Sequence, residues 1–325
     1  MTNKKYDVVA LGELLIDFTE NGLSEQGNPL LEANPGGAPC NVLSMLQKLG
    51  DKTAFIGKVG NDGFGHLLTK AVQEQGIDTT GLVYDNDVHT TLALVLKKEN
   101  GDRDFAFYRN PGADMNLKEE EVNESLIASS SIFHFGTLSL TDESVKMATQ
   151  KAVKAAKENG LTITFDPNLR EPLWRSLEEA HEQVAWGLQQ ADVVKISDNE
   201  ITWFTGMDNY DEGIAFLQKK YPNLKLICLS MGGDGSKAVY RDIHVAYPAF
   251  LQEATIETTG AGDTFCACMI HTVLENGIDH LDEEKLKEML KFANAAASLV
   301  TTKKGALRVM PTKEEVETFI ENFKR

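Results

Sequence analysis

Short apolar segments recur along the first two thirds of the chain. They are residues 8–11 (VVAL), 54–56 (AFI), 132–135 (IFHF), 161–165 (LTITF), 193–196 (VVKI) and 226–229 (LICL). Segments of this length and composition are typical of strands buried in a parallel sheet. Apolar residues at helical spacing lie between most of them, as at residues 64–72 and 143–158. The alternation predicts an α/β fold with a mainly parallel central sheet covered on both faces.

Two regions interrupt this alternation. Residues 13–35 contain a strand-like piece and a loop with two glycines and a proline. Residues 88–110 have the pattern of a hairpin, with strands at 90–96 and 104–109 and a polar turn at 99–102. Asn100-Gly101 within that turn is a strong hairpin signal. We interpret the two insertions as a small β-sheet lid on a single domain spanning residues 1–325, because no linker indicates a second one.

The sequence predicts a candidate contact surface on the lid and a change to long helices in the C-terminal part. An uncovered lid face would expose apolar side chains, and a homodimer through the lid would bury them. The positions in question are Leu92, Leu94, Phe105 and Phe107. After the last predicted strand the pattern changes to long helices, at residues 262–276, 283–301 and 312–324.

A glycine-rich segment, residues 257–265 (ETTGAGDTF), precedes one of these helices. Glycines let the backbone approach an anion closely, and the unpaired N–H groups of the first helical turn point towards it. Asp263 lies at the same helix start, where a carboxylate beside a bound phosphate would handle a proton or a metal ion. The alternative is an ordinary glycine turn in which Asp263 caps the helix.

A second glycine cluster, residues 35–41 (PGGAPCN), also begins a helix with apolar residues at helical spacing. Asn41 lies in the first turn of that helix, and its amide can both donate and accept hydrogen bonds, as a sugar diol requires. The alternative is again a turn followed by a solvated asparagine.

Together the two segments resemble the signatures of the ribokinase-like (PfkB) carbohydrate kinases, and the resemblance extends from Asp7 to about Phe319. It implies a three-layer α/β/α sandwich with a β-sheet lid. Within the family the chain is most similar to the fructokinase branch, on residues 12–18 (GELLIDF), 107–114 (FYRNPGAD) and 166–170 (DPNLR). Kinases of keto-sugar acids share parts of these segments.

The resemblance implies that Asp263 is the general base, beside an anion hole. The anion hole consists of the N–H groups of Gly260, Ala261 and Gly262. The implied sugar-binding residues are Asp17, Gly36, Gly37, Asn41 and Arg109. Arg170 would neutralise charge on the transferring phosphoryl group, since its planar guanidinium fits phosphate oxygens. From the residues alone, Asp17 is equally compatible with a solvated turn, and either arginine with a surface salt bridge.

The implied nucleotide site lies at the carboxyl ends of later strands, the edge at which α/β sheets bind ligands. Its candidate residues are Lys195, Ser230, Gly232, Gly233, Gly235, Thr258 and Asn294. A hairpin turn would also explain the glycines, and tight helix packing would explain the small residues around Asn294. The turn at residues 303–306 is placed near the adenine by the same resemblance.

The resemblance also implies a magnesium ion on the ATP phosphates, with Glu200 acting on it through water. The family pattern has an asparagine where this chain has Ser197, which leaves the metal shell open. A potassium-type site near Thr258 and Gly305 is implied by the resemblance and is not visible in the sequence itself.

Composition narrows the function classes further. The chain has 325 residues, 42% of them hydrophobic, and a net charge of −17, which disfavours nonspecific binding to nucleic acid or anionic membranes. Neither a membrane-spanning run nor a signal peptide is visible in the sequence, so a cytoplasmic protein is expected. The four cysteines lack zinc spacing and are expected to be buried thiols. His134, inside an apolar run, is expected to be a core residue.

The resulting hypothesis is ATP-dependent phosphorylation of fructose to fructose 6-phosphate. Alternatives are a kinase for another small acceptor, such as 2-keto-3-deoxygluconate, ribose or a nucleoside, and a non-catalytic sugar sensor on the same fold. The chain lacks both a Walker A segment and a dinucleotide-binding fingerprint in a strand-to-helix turn. We also expect the helix start to favour the ionised form of Asp263 and so to make it a weaker base.

Overall fold

A computed structural model of the protein describes residues 4–97 and 103–323, with side chains described for all of these except 96, 97 and 103–105. Nine strands form one large sheet. They are β1 (Tyr6–Leu11), β4 (Thr53–Gly60), β5 (Asp78–Asp85), β8 (Ser130–Gly136), β9 (Thr162–Asp166), β10 (Val193–Ser197), β11 (Leu226–Ser230), β12 (Ser236–Tyr240) and β13 (Ile243–Tyr247). Their spatial order is β13-β12-β11-β10-β9-β8-β1-β4-β5.

The pairs from β5 to β11 are parallel, and the β11–β12 and β12–β13 pairs are antiparallel. The mainly parallel sheet predicted from the apolar segments is therefore confirmed. The two edge strands β5 and β13 were not predicted, because their half-buried patterns lack a continuous apolar run. The carboxyl ends of the parallel strands meet at one edge of the sheet, and the candidate residues lie there.

Ten helices with the α-helical pattern are described. They are α1 (Ala38–Lys48), α2 (Gly63–Glu74), α3 (Glu124–Ala128), α4 (Glu143–Glu158), α5 (Leu177–Gln190), α6 (Asp198–Thr205), α7 (Tyr210–Lys220), α8 (Ala261–Asn276), α9 (Glu283–Val300) and α10 (Lys313–Asn322). Two buried apolar clusters, one on each face of the sheet, join α1, α8 and α9 on one side and α4, α5 and α7 on the other. The three-layer α/β/α sandwich is confirmed.

A separate four-stranded sheet, which we call the small sheet, has the order β3-β2-β6-β7. Its strands are β2 (Leu15–Leu23), β3 (Pro29–Gly36), β6 (Leu92–Lys97) and β7 (Arg103–Tyr108). They come from the two insertions that interrupt the helix–strand alternation. Residues 13–35 were expected to hold one strand-like piece and a loop, and they instead form a two-stranded hairpin. The turn predicted at 99–102 lies outside the described residues.

The four apolar positions expected on one face of the small sheet are instead divided between its two faces. Leu92 pairs with Tyr108, whereas Phe107 pairs with the neighbouring Ala93. Because side chains alternate along a strand, Leu92 and Phe107 point to opposite faces. The expectation that the four apolar positions form one exposed face is therefore wrong. Asp17 lies opposite Ala93, on the same face as Phe107.

In the described part of the chain, no helix is long and apolar enough to cross a membrane. All four cysteine side chains are buried.

Candidate active site

The first turn of α8 forms the centre of the site. Gly260 precedes the helix in the left-handed conformation, with φ of 79°. A Cβ atom there would lie 2.7 Å from the Cβ of Ala306, so both the backbone conformation and the close approach require glycine. Ala261 donates its N–H to the carbonyl oxygen of Thr258 at 3.2 Å. Within the described residues, the N–H groups of Gly260 and Gly262 have no protein acceptor.

This arrangement differs in one detail from the implied anion hole. Of its three proposed amides, the one at Ala261 already has an acceptor, the Thr258 carbonyl, although a 3.2 Å bond is long enough to be exchanged for a better one. The first-turn amides and the positive end of the α8 dipole nevertheless favour an anion at this position.

Asp263 lies in the same first turn and is buried, with 9% of its surface exposed. Its Oδ2 accepts a hydrogen bond of 2.8 Å from Nδ2 of Asn41, at the start of α1. Burial raises the pKa of Asp263 above its ordinary value, against the opposing effects of Asn41, Lys195 and Arg170. The expectation that the helix start would make Asp263 a weaker base is therefore wrong, because desolvation is the larger effect.

Asn41 thus contacts the candidate base directly. Its amide nitrogen is used by Asp263, and its Oδ1 is buried without a hydrogen-bond partner among the described residues. Both residues line a cavity of about 240 Å³ between the small sheet and the large domain. An unpartnered buried acceptor in such a cavity is a natural partner for a ligand hydroxyl.

Asp17 enters this cavity from β2, and the glycines of the second cluster shape its surroundings. A Cβ atom at Gly36 would lie 2.2 Å from Oδ2 of Asp17, and one at Gly37 would lie 2.5 Å from the carbonyl oxygen of Glu13. Gly37 also has φ of 125°, which side chains rarely adopt. Burial raises the pKa of Asp17 to about 7, although the Arg170 charge opposes the shift.

Arg170 lies at the rim of the same cavity. Its side chain is exposed, and Nη1 donates to the carbonyl oxygen of Leu169 at 3.1 Å. Its positive charge opposes the rise in the pKa of both Asp17 and Asp263. The guanidinium therefore contributes positive charge to both carboxylates from an exposed position.

Arg109 is placed differently from the expectation. Its side chain is buried and pairs with Asp114, with 2.7 Å between Nη2 and Oδ2 and 2.8 Å between Nε and the same oxygen. Nη1 donates to Oγ1 of Thr141 at 2.8 Å, and Nη2 to the carbonyl oxygen of Leu138 at 2.9 Å. These contacts tie the end of β7 to the large domain, and Arg109 does not line the cavity around Asp263.

A second cavity of about 330 Å³ lies at the carboxyl end of β11, beside the turn into β12 and against α8 and α9. It is lined by the expected residues Ser230, Gly232, Gly233, Gly235, Thr258 and Asn294. The amide of Asn294 is engaged with the protein itself: Nδ2 donates to the carbonyl oxygens of Tyr247 and Pro248, and Oδ1 accepts from Ser236. Asn294 therefore braces the cavity wall.

The two cavities meet at the start of α8, because Thr258 and Gly262 line both. Lys195 lines neither. Its Nζ lies below the first turn of α8, where a Cβ atom at Gly262 would approach it to 3.1 Å, and it pairs with Asp166 at 3.0 Å. Burial alone would lower the pKa of Lys195. The negative charges of Asp166 and Glu200 have the larger combined effect, so the pKa of the lysine is raised.

Glu200, the candidate metal residue, is held by the backbone. Its Oε2 accepts from the N–H and hydroxyl of Ser197 at 2.8 Å each, and its Oε1 accepts from the N–H of Leu169 at 2.7 Å. With Ser197 it forms the capping box of α6. No group of three or more His, Cys, Asp or Glu residues suited to a metal is present among the described residues. The carboxylate retains one lone-pair position, which fits contact with a metal through water.

Two buried carboxylates at the site were not assigned from the sequence. Glu13 accepts the N–H of Ala38 at 2.8 Å, and burial raises its pKa to about 7. Asp166 forms the buried pair with Lys195. Both follow buried strands of the parallel sheet, which is the signal that would have found them.

A helix start with unpaired amides, a buried carboxylate beside it and two cavities that meet there define a phosphotransferase built on an α/β sandwich. A family model described as "pfkB family carbohydrate kinase" matches residues 5–313. The chain therefore belongs to the pfkB family of carbohydrate kinases.

Similar proteins agree with this membership. Fructokinase-1 from Zea mays is 42% identical over 97% of this chain and 97% of its own length. A fructokinase structure from Xylella fastidiosa with bound ATP has a TM-score of 0.88 and 29% identity, covering 97% of this chain and 98% of its own. A fructokinase from Vibrio cholerae with fructose, ADP and calcium bound has a TM-score of 0.87 and 28% identity, covering 97% of this chain and 99% of its own.

Proposed function

We propose that the protein transfers the γ-phosphoryl group of ATP to fructose, giving fructose 6-phosphate. The observation that carries this proposal is the position of Asp263. It is buried at the junction of the two cavities, next to the first-turn amides of α8 and in hydrogen-bond contact with Asn41. The similarity to the plant and bacterial fructokinases supports fructose as the acceptor.

In this proposal the sugar occupies the 240 Å³ cavity and ATP occupies the 330 Å³ cavity. Asp263 accepts the proton of the acceptor hydroxyl while that oxygen attacks the γ-phosphorus in line. Its raised pKa brings it closer to neutral pH and improves it as a base. The N–H groups of Gly260 and Gly262, with the Lys195 charge below them, stabilise the developing negative charge.

Arg170 and a divalent ion complete the charge balance around the phosphates. Arg170 reaches the transferring group from the cavity rim. When bound to the nucleotide, magnesium would neutralise phosphate charge, and Glu200 would hold it only through water, using the oxygen position that the capping box leaves available. The potassium-type site near Thr258 and Gly305 stays a prediction.

The charges in the sugar cavity favour a neutral acceptor over an acidic one. Glu13, Asp17, Asp263 and Glu257 all line it, whereas Arg170 is its only lining cation among the described residues. An acidic sugar such as 2-keto-3-deoxygluconate would need a further cation, and Arg109 is already committed to Asp114, Thr141 and Leu138. Fructose meets no such requirement.

An ADP-release assay over a panel of acceptors tests the proposal. The panel contains fructose, ribose, a nucleoside and 2-keto-3-deoxygluconate, each with ATP and magnesium. We expect the highest kcat/KM with fructose and product phosphorylated at the 6-hydroxyl. Higher kcat/KM with the sugar acid would contradict the assigned acceptor, and binding of sugar without ADP release would indicate a sensor.

Replacing Gly36 with alanine is expected to raise the KM for fructose by about 10- to 100-fold. The new Cβ would lie only 2.2 Å from Oδ2 of Asp17, and this clash would displace the carboxylate from the sugar. Loss of a hydrogen bond to a charged group costs about 1.5–3 kcal/mol, from which the range follows. Steady-state kinetics with Gly63→Ala as control, where a Cβ meets nothing within 4 Å, tests this. Equal KM values in both variants would contradict it.

The rate at low pH is expected to depend on the protonation of the two carboxylates Asp17 and Asp263. The pKa of Asp17 is about 7 in the folded protein against an ordinary value of 3.8, and that of Asp263 is also raised. Because folding raises the pKa of these carboxylates, their protonated forms stabilise the folded protein. This contribution to the free energy of unfolding is complete below about pH 4 and is lost as the pH rises through about 7. Activity has the opposite sign: kcat/KM should fall as pH drops below about 7. A flat profile between pH 5 and 8 would contradict this.

A homodimer through the small sheet also stays a proposal, with a revised face. Tyr108 and Leu31 lie on the face opposite Asp17 and are 62% and 41% exposed. A second copy packed there would cover both. Sedimentation of the protein and of Tyr108→Glu at micromolar concentration tests it, and a monomeric unmodified protein would count against it. A cytoplasmic location likewise stays a prediction.

A further inference from the structure

A small cavity adjoins the 240 Å³ cavity, and Glu13, Leu138 and Asp263 line both. Its volume is about 10 Å³, and its polar lining comes from Glu13, His134, Thr137, Asp166, Asn168 and Asp263. Five of these six residues are at least nine-tenths buried, and Asn168 is half-buried. A volume of roughly 10–15 Å³ is the least that accommodates one water molecule, and a buried water needs two to four polar partners.

His134 supplies an acceptor on one side of this cavity. Its Nδ1 lies 3.0 Å from Oγ1 of Thr164, and that hydroxyl donates to the carbonyl oxygen of Phe133 at 3.4 Å. The hydroxyl therefore accepts from Nδ1–H, which leaves Nε2 as an acceptor. Burial lowers the pKa of His134 to about 3, so the ring is neutral. Nε2 has no protein partner among the described residues.

Glu13 and Asp263 supply carboxylate oxygens on the other sides. Glu13 uses Oε1 for the N–H of Ala38, and Asp263 uses Oδ2 for the amide of Asn41. The Glu13 carboxylate accepts a further hydrogen bond from its own backbone N–H. The Glu13 and Asp263 carboxylates and the His134 imidazole thus border a space of one water volume.

We propose that this cavity binds one structural water that connects Asp263 to Glu13 as a proton relay. The inference rests on the proposed kinase function and extends it. The acceptor hydroxyl gives its proton to Asp263 as its oxygen bonds to phosphorus. Asp263 then gives a proton to the water, and the water gives one of its own to Glu13. Asp263 is again ionised, Glu13 is neutral, and the water is unchanged. Glu13 releases its proton to solvent when the site opens.

Glu13 is suited to hold that proton because its burial disfavours a permanent charge, and its pKa of about 7 lets it take up and release a proton near neutral pH. Several charged or titratable groups surround Glu13 and influence its pKa. They are Cys40 on α1, Arg109 and Asp114 after β7, His134 on β8, Asp166 on β9 and Asp263 on α8.

The test compares Glu13→Gln with Glu182→Gln, an exposed control on α5. Glutamine keeps an acceptor for the Ala38 N–H but cannot take up a proton. We expect kcat to fall about 10- to 100-fold, less than the about 10²–10⁴-fold attributed to a direct general base, and the KM for fructose to change by a smaller factor than kcat. A merely structural role would instead raise KM or lower the melting temperature. Unchanged kcat in Glu13→Gln would overturn the relay.

A second variant addresses the water itself. His134→Phe removes the Nε2 acceptor and fills the cavity, so it should lower kcat by a similar factor. The double variant should be no slower than either single variant, because both interrupt one path. Multiplicative losses would overturn the proposal.

A high-resolution crystal structure of the unmodified protein must also show an ordered water between Glu13 and His134. This readout does not depend on the folding of any variant, and missing density there would overturn the proposal. If the unmodified protein does not phosphorylate fructose, the proposed function is rejected. The presence or absence of the ordered water in the crystal structure does not depend on that result.

Discussion

Replacing Asp263 with asparagine is expected to lower kcat for fructose phosphorylation by roughly 10²–10⁴-fold, the range for loss of a general base. Asparagine has the same shape, and its Oδ1 can still accept the 2.8 Å hydrogen bond from Asn41. The affinities for fructose and ATP should therefore change little. Single-turnover phosphoryl transfer and equilibrium binding of each substrate separate the two effects.

Asp242→Asn provides the control, because Asp242 is an exposed residue in the turn between β12 and β13. It makes the same chemical change away from the site and should leave kcat unaltered. Turnover of Asp263→Asn within a few-fold of the unmodified enzyme would show that positioning and charge stabilisation suffice without a base. Such a result would leave the anion hole intact and remove Asp263 from the proton transfer.

The parts of the site that sequence predicts are those defined by local chain geometry. Gly37 and Gly260 both have positive φ, and each stands immediately before a helix. Such positions carry a strong residue preference, so they can be recognised without knowing what the segment contacts. The apolar segments predicted the parallel sheet for a similar reason, since a strand buried on both faces must be apolar throughout.

The partners of long polar side chains could not be predicted in the same way. Arg109 contacts Thr141, and Asn294 contacts Tyr247, across separations that only the tertiary fold determines. Glu200 has a local partner in Ser197, and the capping box of α6 was open to prediction from their spacing.

The pKa of Asp263 is a further property that the local sequence does not predict. Its place at a helix start is a local property, and that alone predicts a lowered pKa. The degree of burial depends on α1, β9 and β10 packing around α8, and desolvation reverses the direction. Local sequence therefore identified the residue, while its proton affinity follows from the assembled site.

Replacing Lys195 with methionine is expected to lower the free energy of unfolding by about 3–5 kcal/mol, the range for removing one partner of a buried ion pair. Nζ lies 3.0 Å from Oδ2 of Asp166, and the two side chains are only 6% and 4% exposed. Without Lys195, Asp166 is left as a buried charge whose pKa is already raised, chiefly by burial and further by the Glu200 and Asp263 carboxylates. Urea unfolding measures the loss.

The loss should be larger at pH 8 than at pH 5. Removal of Lys195 raises the folded-state pKa of Asp166 further above its unfolded value, so the variant takes up a proton on folding, and stability recovers as pH falls. A loss independent of pH would indicate that packing, and not charge, dominates. Lys195→Leu, which has a similar apolar volume, should behave like Lys195→Met.

The double variant Lys195→Met/Asp166→Leu separates stability from chemistry. Replacing both buried charges by apolar side chains should restore most of the lost stability, because no uncompensated charge remains. Activity should stay low, since the ammonium group next to Gly262 contributes positive charge to the phosphoryl site. If the double variant regains full kcat together with stability, the pair only supports the fold. If it regains stability alone, the same ion pair that holds β9 and β10 together also supplies charge for the reaction.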